Sequence, residues 1–478
     1  MWFWVSLAGI LLLSRLCHLN ILWADEDYHL AAAIQMLHGK MLYRDLWYDK
    51  PPLSALASVL FGAWPGWPLR LTDALMAIVS CTIAFRFASD VWGRREGFCA
   101  AGLLAFSLIF YLPSATIPLE PDTWMILPHL AAVYLAWRNR PLAAGVAAGV
   151  AFAFNLKGLT VLAVCLIFAP AGWPMLLAGF VLPNALLLSW LASQHAVSAY
   201  WESVWRWGFL YAGAPPGDSP IDSAVVRARN WLGFHAALAI AAAWYWIRTK
   251  DAGTRWRMLA WAAISLAAAG VGWRFSPHYM NQMLPPLAIA GARGICMLAT
   301  ETRVPLRRFA SLAILAAALI PVVRFGPRYF LLAADDLAGR PHSWRDVALD
   351  QESREVAARI NTLTKDGDTI FVWGYRPNLV VYTRLPVASR MWESQPLTGV
   401  PADRHLRDAR SVDPEWARQN RGELIRSSPS IIVDGLSAYN PALDIEKFPD
   451  LQDWFKRYCL VERDGGTAVY RLCSRGVN

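Results

Sequence analysis

Between Trp67 and Phe325 the chain is a succession of apolar runs, each closed by Arg, Pro or Trp. A helix needs roughly 20 mainly apolar residues to cross a bilayer, and several runs approach or exceed that length. With the N-terminal run they predict about eleven spans, near 2–23, 68–88, 97–112, 122–137, 141–156, 158–169, 173–192, 231–247, 257–273, 283–299 and 308–324. After Arg328 the pattern changes. Val356, Ala357, Ile360 and Leu363 fall at helical spacing within 350–363, and Asp368 to Trp373 reads as a buried strand. A helix over 415–427, a strand at Ile431 to Val433 and a hairpin from Leu460 to Leu472 follow. The expected fold class is a polytopic α-helical membrane protein over residues 1–327, followed by a small soluble α/β domain over 328–478.

Composition sharpens this picture. The 478 residues are 56% hydrophobic and only 17% charged, against about 25% in an average soluble protein. That excludes a soluble enzyme built on one core, and it excludes disorder. The net charge of +9 resides in short loops rather than in a basic block, so no nucleic-acid partner is expected. Arg86, Arg94 and Arg95 share one loop; Arg138 and Arg140, then Arg248, Lys250, Arg255 and Arg257, then Arg303, Arg307 and Arg308 occupy three more. All four fall on one side if the N-terminus is cytoplasmic, which places the tail outside. Residues 1–23 begin without a basic residue and carry Trp23 at their end, so a cleaved signal peptide is not expected. Cys17, Cys81, Cys99, Cys165 and Cys296 sit in apolar runs, whereas Cys459 and Cys473 flank the hairpin and pair if the tail faces an oxidising compartment.

This orientation gathers polar groups at the outward ends of the spans. They are Asp25-Glu26-Asp27, Asp49-Lys50, Glu120 with Asp122, Lys157, and Arg274 with His278-Tyr279. Polar groups at membrane depth are costly and usually line a cavity or pathway. The first outward loop, 24–67, is long, with Tyr28 to Leu37 expected as a helix lying in the membrane interface. Asp25 and Glu26 follow the first span, where two carboxylates oppose the helix dipole, so use rather than stability explains them. A carboxylate there can accept a proton from an acceptor hydroxyl or amine. Lys50 is a compact cation suited to phosphate, and Lys50, Lys157, Arg274 and Tyr279 together suit an anionic phosphate leaving group. Bland alternatives stand beside these. Asp122 fits an ordinary helix cap, Lys157 a side chain snorkelling to the interface, and His278 a satisfied structural histidine. P-loop, Rossmann, HExxH and nucleophile-elbow patterns are absent from the sequence.

The run Asp25-Glu26-Asp27-Tyr28, then Tyr43-Arg44-Asp45 and Asp49-Lys50-Pro51-Pro52-Leu53, resembles the first outward loop of bacterial GT-C glycosyltransferases. These are relatives of the protein O-mannosyltransferases and of the lipid A aminoarabinose transferase. Arg274-Phe275-Ser276-Pro277-His278-Tyr279, with Gln282 and Pro285-Pro286, resembles their outward loop before a late span. Thr369 to Pro377 resembles the start of their periplasmic domain.

The resemblance implies an inner-membrane transferase that takes a sugar from a polyprenyl-phosphate donor and passes it to a glycan, lipid or protein acceptor. It implies an acceptor-activating acid at Asp25, with Glu26 beside it, and a donor-phosphate contact at Lys50. Lys157, Arg274, His278 and Tyr279 are expected around that phosphate. Asp49 stands where those enzymes carry Glu; with Glu120 and Asp122 it is expected to contact substrate. A phosphate ester leaves as a stable anion, so one base and several cations suffice for inversion by direct displacement. There is room for a divalent metal at Glu120 or Asp122, but none is required. Two rival functions predict other patterns. A transporter or flippase of lipid-linked sugars predicts internal repeats and mid-membrane polar residues, and a scaffold predicts no dependence on Asp25.

Overall fold

The computed structural model describes residues 1–214, 219–403 and 409–473. Each of the eleven predicted spans coincides with helix. The helices include Trp2–Leu16, Trp67–Val91, Arg94–Ile109, Pro121–Trp137, Pro141–Phe154, Gly158–Phe168 and Trp173–Ser193. They continue with Ala252–Ala269, Leu284–Ala299 and Val304–Leu337. The span expected at 231–247 is broken, with Pro220–Phe234 ending at His235 and Ala236–Arg248 starting after it. Four helices are long and apolar enough to cross a membrane by length and composition: Trp67–Val91, Pro170–Ser193, Tyr279–Ala299 and Val304–Leu337.

Small residues let these helices approach closely. A Cβ at Gly145 would strike the Leu176 carbonyl, and one at Gly179 would strike that of Leu142, so Pro141–Phe154 and Trp173–Ser193 pack backbone against backbone. The basic loops are tied in pairs. Arg138 meets Asp90 at 2.5 Å and Arg248 meets Glu301 at 2.6 Å.

The last apolar helix runs through residue 327 to Leu337, after which the chain builds a four-stranded sheet. Its strands are β1 (Ile370–Trp373), β2 (Ile431–Asp434), β3 (Tyr458–Asp464) and β4 (Thr467–Leu472), in the order β1-β2-β4-β3. β1 and β2 are parallel; β4 runs antiparallel to β2 and β3. The helices Ala348–Leu363 and Pro414–Ile425 lie where the periodicity put them, and Cys459 is bonded to Cys473. The expected end of this domain, 474–478, lies outside the described residues.

The loop helix differs from expectation. Glu26–Leu37 forms, but it is buried on nearly every face instead of lying in an interface. The C-terminal residues cover it: Gln35 donates to the Leu385 carbonyl at 2.9 Å and accepts from the Val387 amide at 2.8 Å. A stripe of apolar residues cannot by itself distinguish a lipid surface from a protein one.

Candidate active site

Asp25 caps the helix Glu26–Leu37 with φ 74° and ψ −36°, a backbone region that costs a non-glycine residue about 1–3 kcal/mol. Its carboxylate is half-buried and has no hydrogen bond or ion pair among the described residues. Glu26 is its opposite. Both oxygens bind the Arg70 guanidinium, at 2.5 and 3.0 Å, and they also accept from the amides of Trp23 and Leu119. Arg70, wholly buried, further donates to the carbonyls of His18 and Ile21. This ties the end of the first helix to the first loop and to the segment before Glu120. Asp27 is buried, and burial first, then the charges of Asp25 and Glu26, holds its pKa well above the usual carboxylate range.

Asp49 and Lys50 pair at 3.0 Å, with 39% of the lysine side chain still exposed. Burial lowers the Lys50 pKa, but Asp49, Tyr211 and Asp25 outweigh it and leave a firmly charged ammonium. The turn before it is held by the Tyr43 hydroxyl, which donates to the Lys50 carbonyl at 2.8 Å, and by the Asp49 amide, which donates to the Tyr28 hydroxyl at 3.2 Å. Arg274 lies 3.8 Å from the Tyr211 ring centroid and donates to the carbonyl of Ala214 at 2.9 Å, so much of its guanidinium braces that segment. Tyr211 also lies under Lys50, at 5.9 Å. One ring thus links the two cations.

Glu120 and Asp122 sit at the start of Pro121–Trp137. Glu120 accepts from the amides of Asp122 and Thr123, at 2.8 and 2.9 Å, so it serves as the helix cap. Burial first, then Asp122, raises its pKa well above the ordinary value. Asp122 binds Lys157 at 2.8 Å, and Lys157 lies 3.2 Å from the Tyr279 ring centroid. His278 packs edge-on to Tyr279, 4.7 Å between centroids; burial lowers its pKa against the pull of Asp25 and Asp122. Behind Asp122 runs a chain that the sequence did not announce. Trp261 donates to His129 at 2.8 Å, His129 then donates to Gln282 at 3.1 Å, and Gln282 donates to the Asp122 carbonyl at 3.0 Å. The indole N–H fixes the imidazole tautomer, and the imidazole in turn orients the amide.

The C-terminal domain completes this face. Trp392 stacks on Tyr28 at 5.4 Å and donates to the Trp47 carbonyl at 2.8 Å. The Trp47 amide donates to the Arg390 carbonyl at 2.9 Å, and Arg390 reaches the Tyr43 carbonyl at 2.8 Å. Tyr375, tilted against Tyr28 at 5.5 Å, is half-buried and its hydroxyl has no hydrogen-bond partner among the described residues. Burial, then Asp25, Asp27 and Asp49, raises its pKa and keeps it a proton donor. Thr369 to Pro377 was legible as the opening of a domain, but nothing local in it signals that its tyrosine returns to the first loop.

Residues 49–201 match the family model described as dolichyl-phosphate-mannose-protein mannosyltransferase. No curated protein matches the chain. Among solved structures, ArnT from Cupriavidus metallidurans bound to undecaprenyl phosphate aligns over 99% of this chain and 98% of its own, with TM-score 0.58 at 16% identity. The chain shares its fold with this ArnT. The apo form of the same ArnT gives 0.59 at 14% identity, over 98% of this chain and 97% of its own. The Archaeoglobus fulgidus oligosaccharyltransferase AglB, in complex with an inhibitory peptide and a dolichol-phosphate, gives 0.51 at 11%, over 100% and 75%. Within this fold, the segment matched by the family model holds Asp49, Lys50, Glu120, Asp122 and Lys157. Asp25, Arg274, His278 and Tyr279 lie outside it, so the full site joins residues from both sides of the matched region.

Proposed function

We propose that the chain is an integral membrane glycosyltransferase that moves a sugar from a polyprenyl-phosphate donor to a glycan, lipid or protein acceptor at the outward face. The observation that carries this is the contrast between Asp25, a carboxylate without a partner among the described residues, and the cations Lys50 and Lys157. Asp25 takes the proton of the acceptor hydroxyl or amine. The freed electron pair attacks the anomeric carbon from the side opposite the phosphate, and the bond to the phosphate oxygen breaks. The leaving polyprenyl phosphate keeps its charge, met by Lys50 and Lys157 with Arg274 behind them, so no proton is needed there. One displacement inverts the anomeric centre. Glu26 serves the reaction through Arg70, holding the loop rather than touching substrate.

The same proposal places residues 1–327 in a bacterial inner membrane with eleven crossings, a cytoplasmic N-terminus and residues 328–478 in the periplasm. The Cys459–Cys473 bond favours an oxidising compartment for that domain.

The test is transfer from radiolabelled polyprenyl-phosphate sugars in membranes carrying wild type or Asp25→Asn. Label reaching an acceptor only with wild type supports the proposal. Donor crossing the bilayer unchanged, equally in both, would overturn it in favour of a transporter.

A further inference from the structure

A carboxylate oxygen each from Glu120 and Asp122 and a ring nitrogen of His278 lie within 4.8 Å of one another, the outline of a divalent-cation site. A positive charge already sits against one member of this set. Lys157 Nζ lies 2.8 and 3.1 Å from the two oxygens of Asp122 and 3.2 Å from the Tyr279 ring centroid, so carboxylate and π-face both point at the ammonium. Both partners are enclosed, with 13% of the Lys157 side chain and 3% of that of Asp122 exposed. The other carboxylate is committed too. Glu120 accepts from the amides of Asp122 and Thr123 and from the Thr123 hydroxyl, all within 2.9 Å, so most of its acceptor capacity is already in use.

Lys157 is not free to withdraw at little cost. Its amide donates to the Asn155 side chain at 3.1 Å. It stands in a tight turn, where a Cβ on the following Gly158 would strike the backbone of Ala151 and Phe152. A divalent ion and an ammonium a few ångström apart repel strongly in so enclosed a place.

We infer that the Lys157 ammonium is the resident cation of the Glu120–Asp122–His278 cluster, standing where a divalent ion would otherwise bind, so that a bound phosphate meets charge borne by the protein alone. The reference to phosphate rests on the transferase proposal; the exclusion of metal does not, and it is measured without substrate. This separates failure of the one from failure of the other.

The experiment uses the purified full chain in detergent, stripped with chelator and titrated with Mn²⁺ by calorimetry and by EPR. Wild type is expected to take up no stoichiometric Mn²⁺. Lys157→Gln removes the charge while keeping a polar side chain, and should bind one Mn²⁺ at least about tenfold more tightly than wild type. Glu120→Gln added to it should abolish that binding. Lys157→Met serves in its place if Lys157→Gln does not yield a monodisperse protein, and Lys157→Arg should exclude the ion as wild type does. The inference is overturned if wild type binds one Mn²⁺ that Glu120→Gln removes, or if the charge-deleting variant binds no more tightly than wild type.

Discussion

The two acidic motifs Asp25-Glu26-Asp27 and Glu120-Pro121-Asp122 look alike as text and are held differently. In the second every carboxylate is satisfied, Glu120 by the amides of its own helix and Asp122 by Lys157. In the first, Glu26 is saturated by Arg70 and two amides, while Asp25, one residue away, is held in a strained conformation with no partner among the described residues. Acidity as such therefore does not mark the reactive group. On the transferase proposal, what marks it is the balance left after backbone and neighbours have taken their share, and among the described residues Asp25 alone of these carboxylates retains full acceptor capacity.

The strongest way to break this comparison is to replace the free carboxylate. Asp25→Asn should lower kcat about 10²- to 10⁴-fold while leaving donor affinity within about threefold, measured by donor titration in membranes. A comparable loss in donor affinity would show Asp25 to be a binding residue. Next in size is the saturated neighbour. Glu26→Gln leaves the buried Arg70 charge poorly matched and should destabilise the protein by about 3–5 kcal/mol, read as a lower melting temperature or loss of folded protein in detergent. If Glu26→Gln instead folds normally and loses turnover as Asp25→Asn does, the two carboxylates share one role.

A smaller effect is expected where the C-terminal domain meets the motif. Tyr375→Phe removes one hydroxyl and keeps the ring, so the acceptor KM should rise about fivefold with donor KM unchanged. Equal changes in both would place the tyrosine on the donor side. The smallest effect concerns Glu393. It is buried, one of its oxygens lacks a hydrogen-bond partner, and burial, then Asp403 and Asp49, raises its pKa well above the ordinary value. A raised folded-state pKa contributes stability below the unfolded value and loses it as pH rises through the folded one. Glu393→Gln should therefore raise the melting temperature at pH 8, and this gain should shrink on acidification toward pH 5. A gain independent of pH would mean that the carboxyl binds its proton equally in the folded and unfolded states, so that its pKa is not raised.

Much of the fold was legible because apolar runs of spanning length leave few alternatives, and the tail showed strand and helix periods cleanly. His235 was not, since a break within one apolar stretch costs no hydrophobicity and leaves no trace in the pattern. The clustering of Lys50, Lys157 and the acidic motifs at one face could be read from span counting and loop charge. The division of labour within Asp25-Glu26 could not. It depends on Arg70, buried inside an apolar helix 44 positions along the chain from Glu26, and on the Leu119 amide, 93 positions away. The brace of Trp261, His129 and Gln282 was hidden for the same reason: Trp261 and His129 sit singly in apolar runs, and Gln282, visible in the loop 274–282, carries no sign of which side chain it meets.

The grip of Arg390 and Trp392 on Trp47 sets an order in time. The first loop leaves the ribosome early, yet Arg390 and Trp392, which bind the Trp47 backbone, are made after all of the long apolar helices have been synthesised. During insertion the loop carries its charged groups without their final bracing. Bracing of the first loop thus waits for residues 390 to 392 to be made, and a chain arrested before them lacks these contacts.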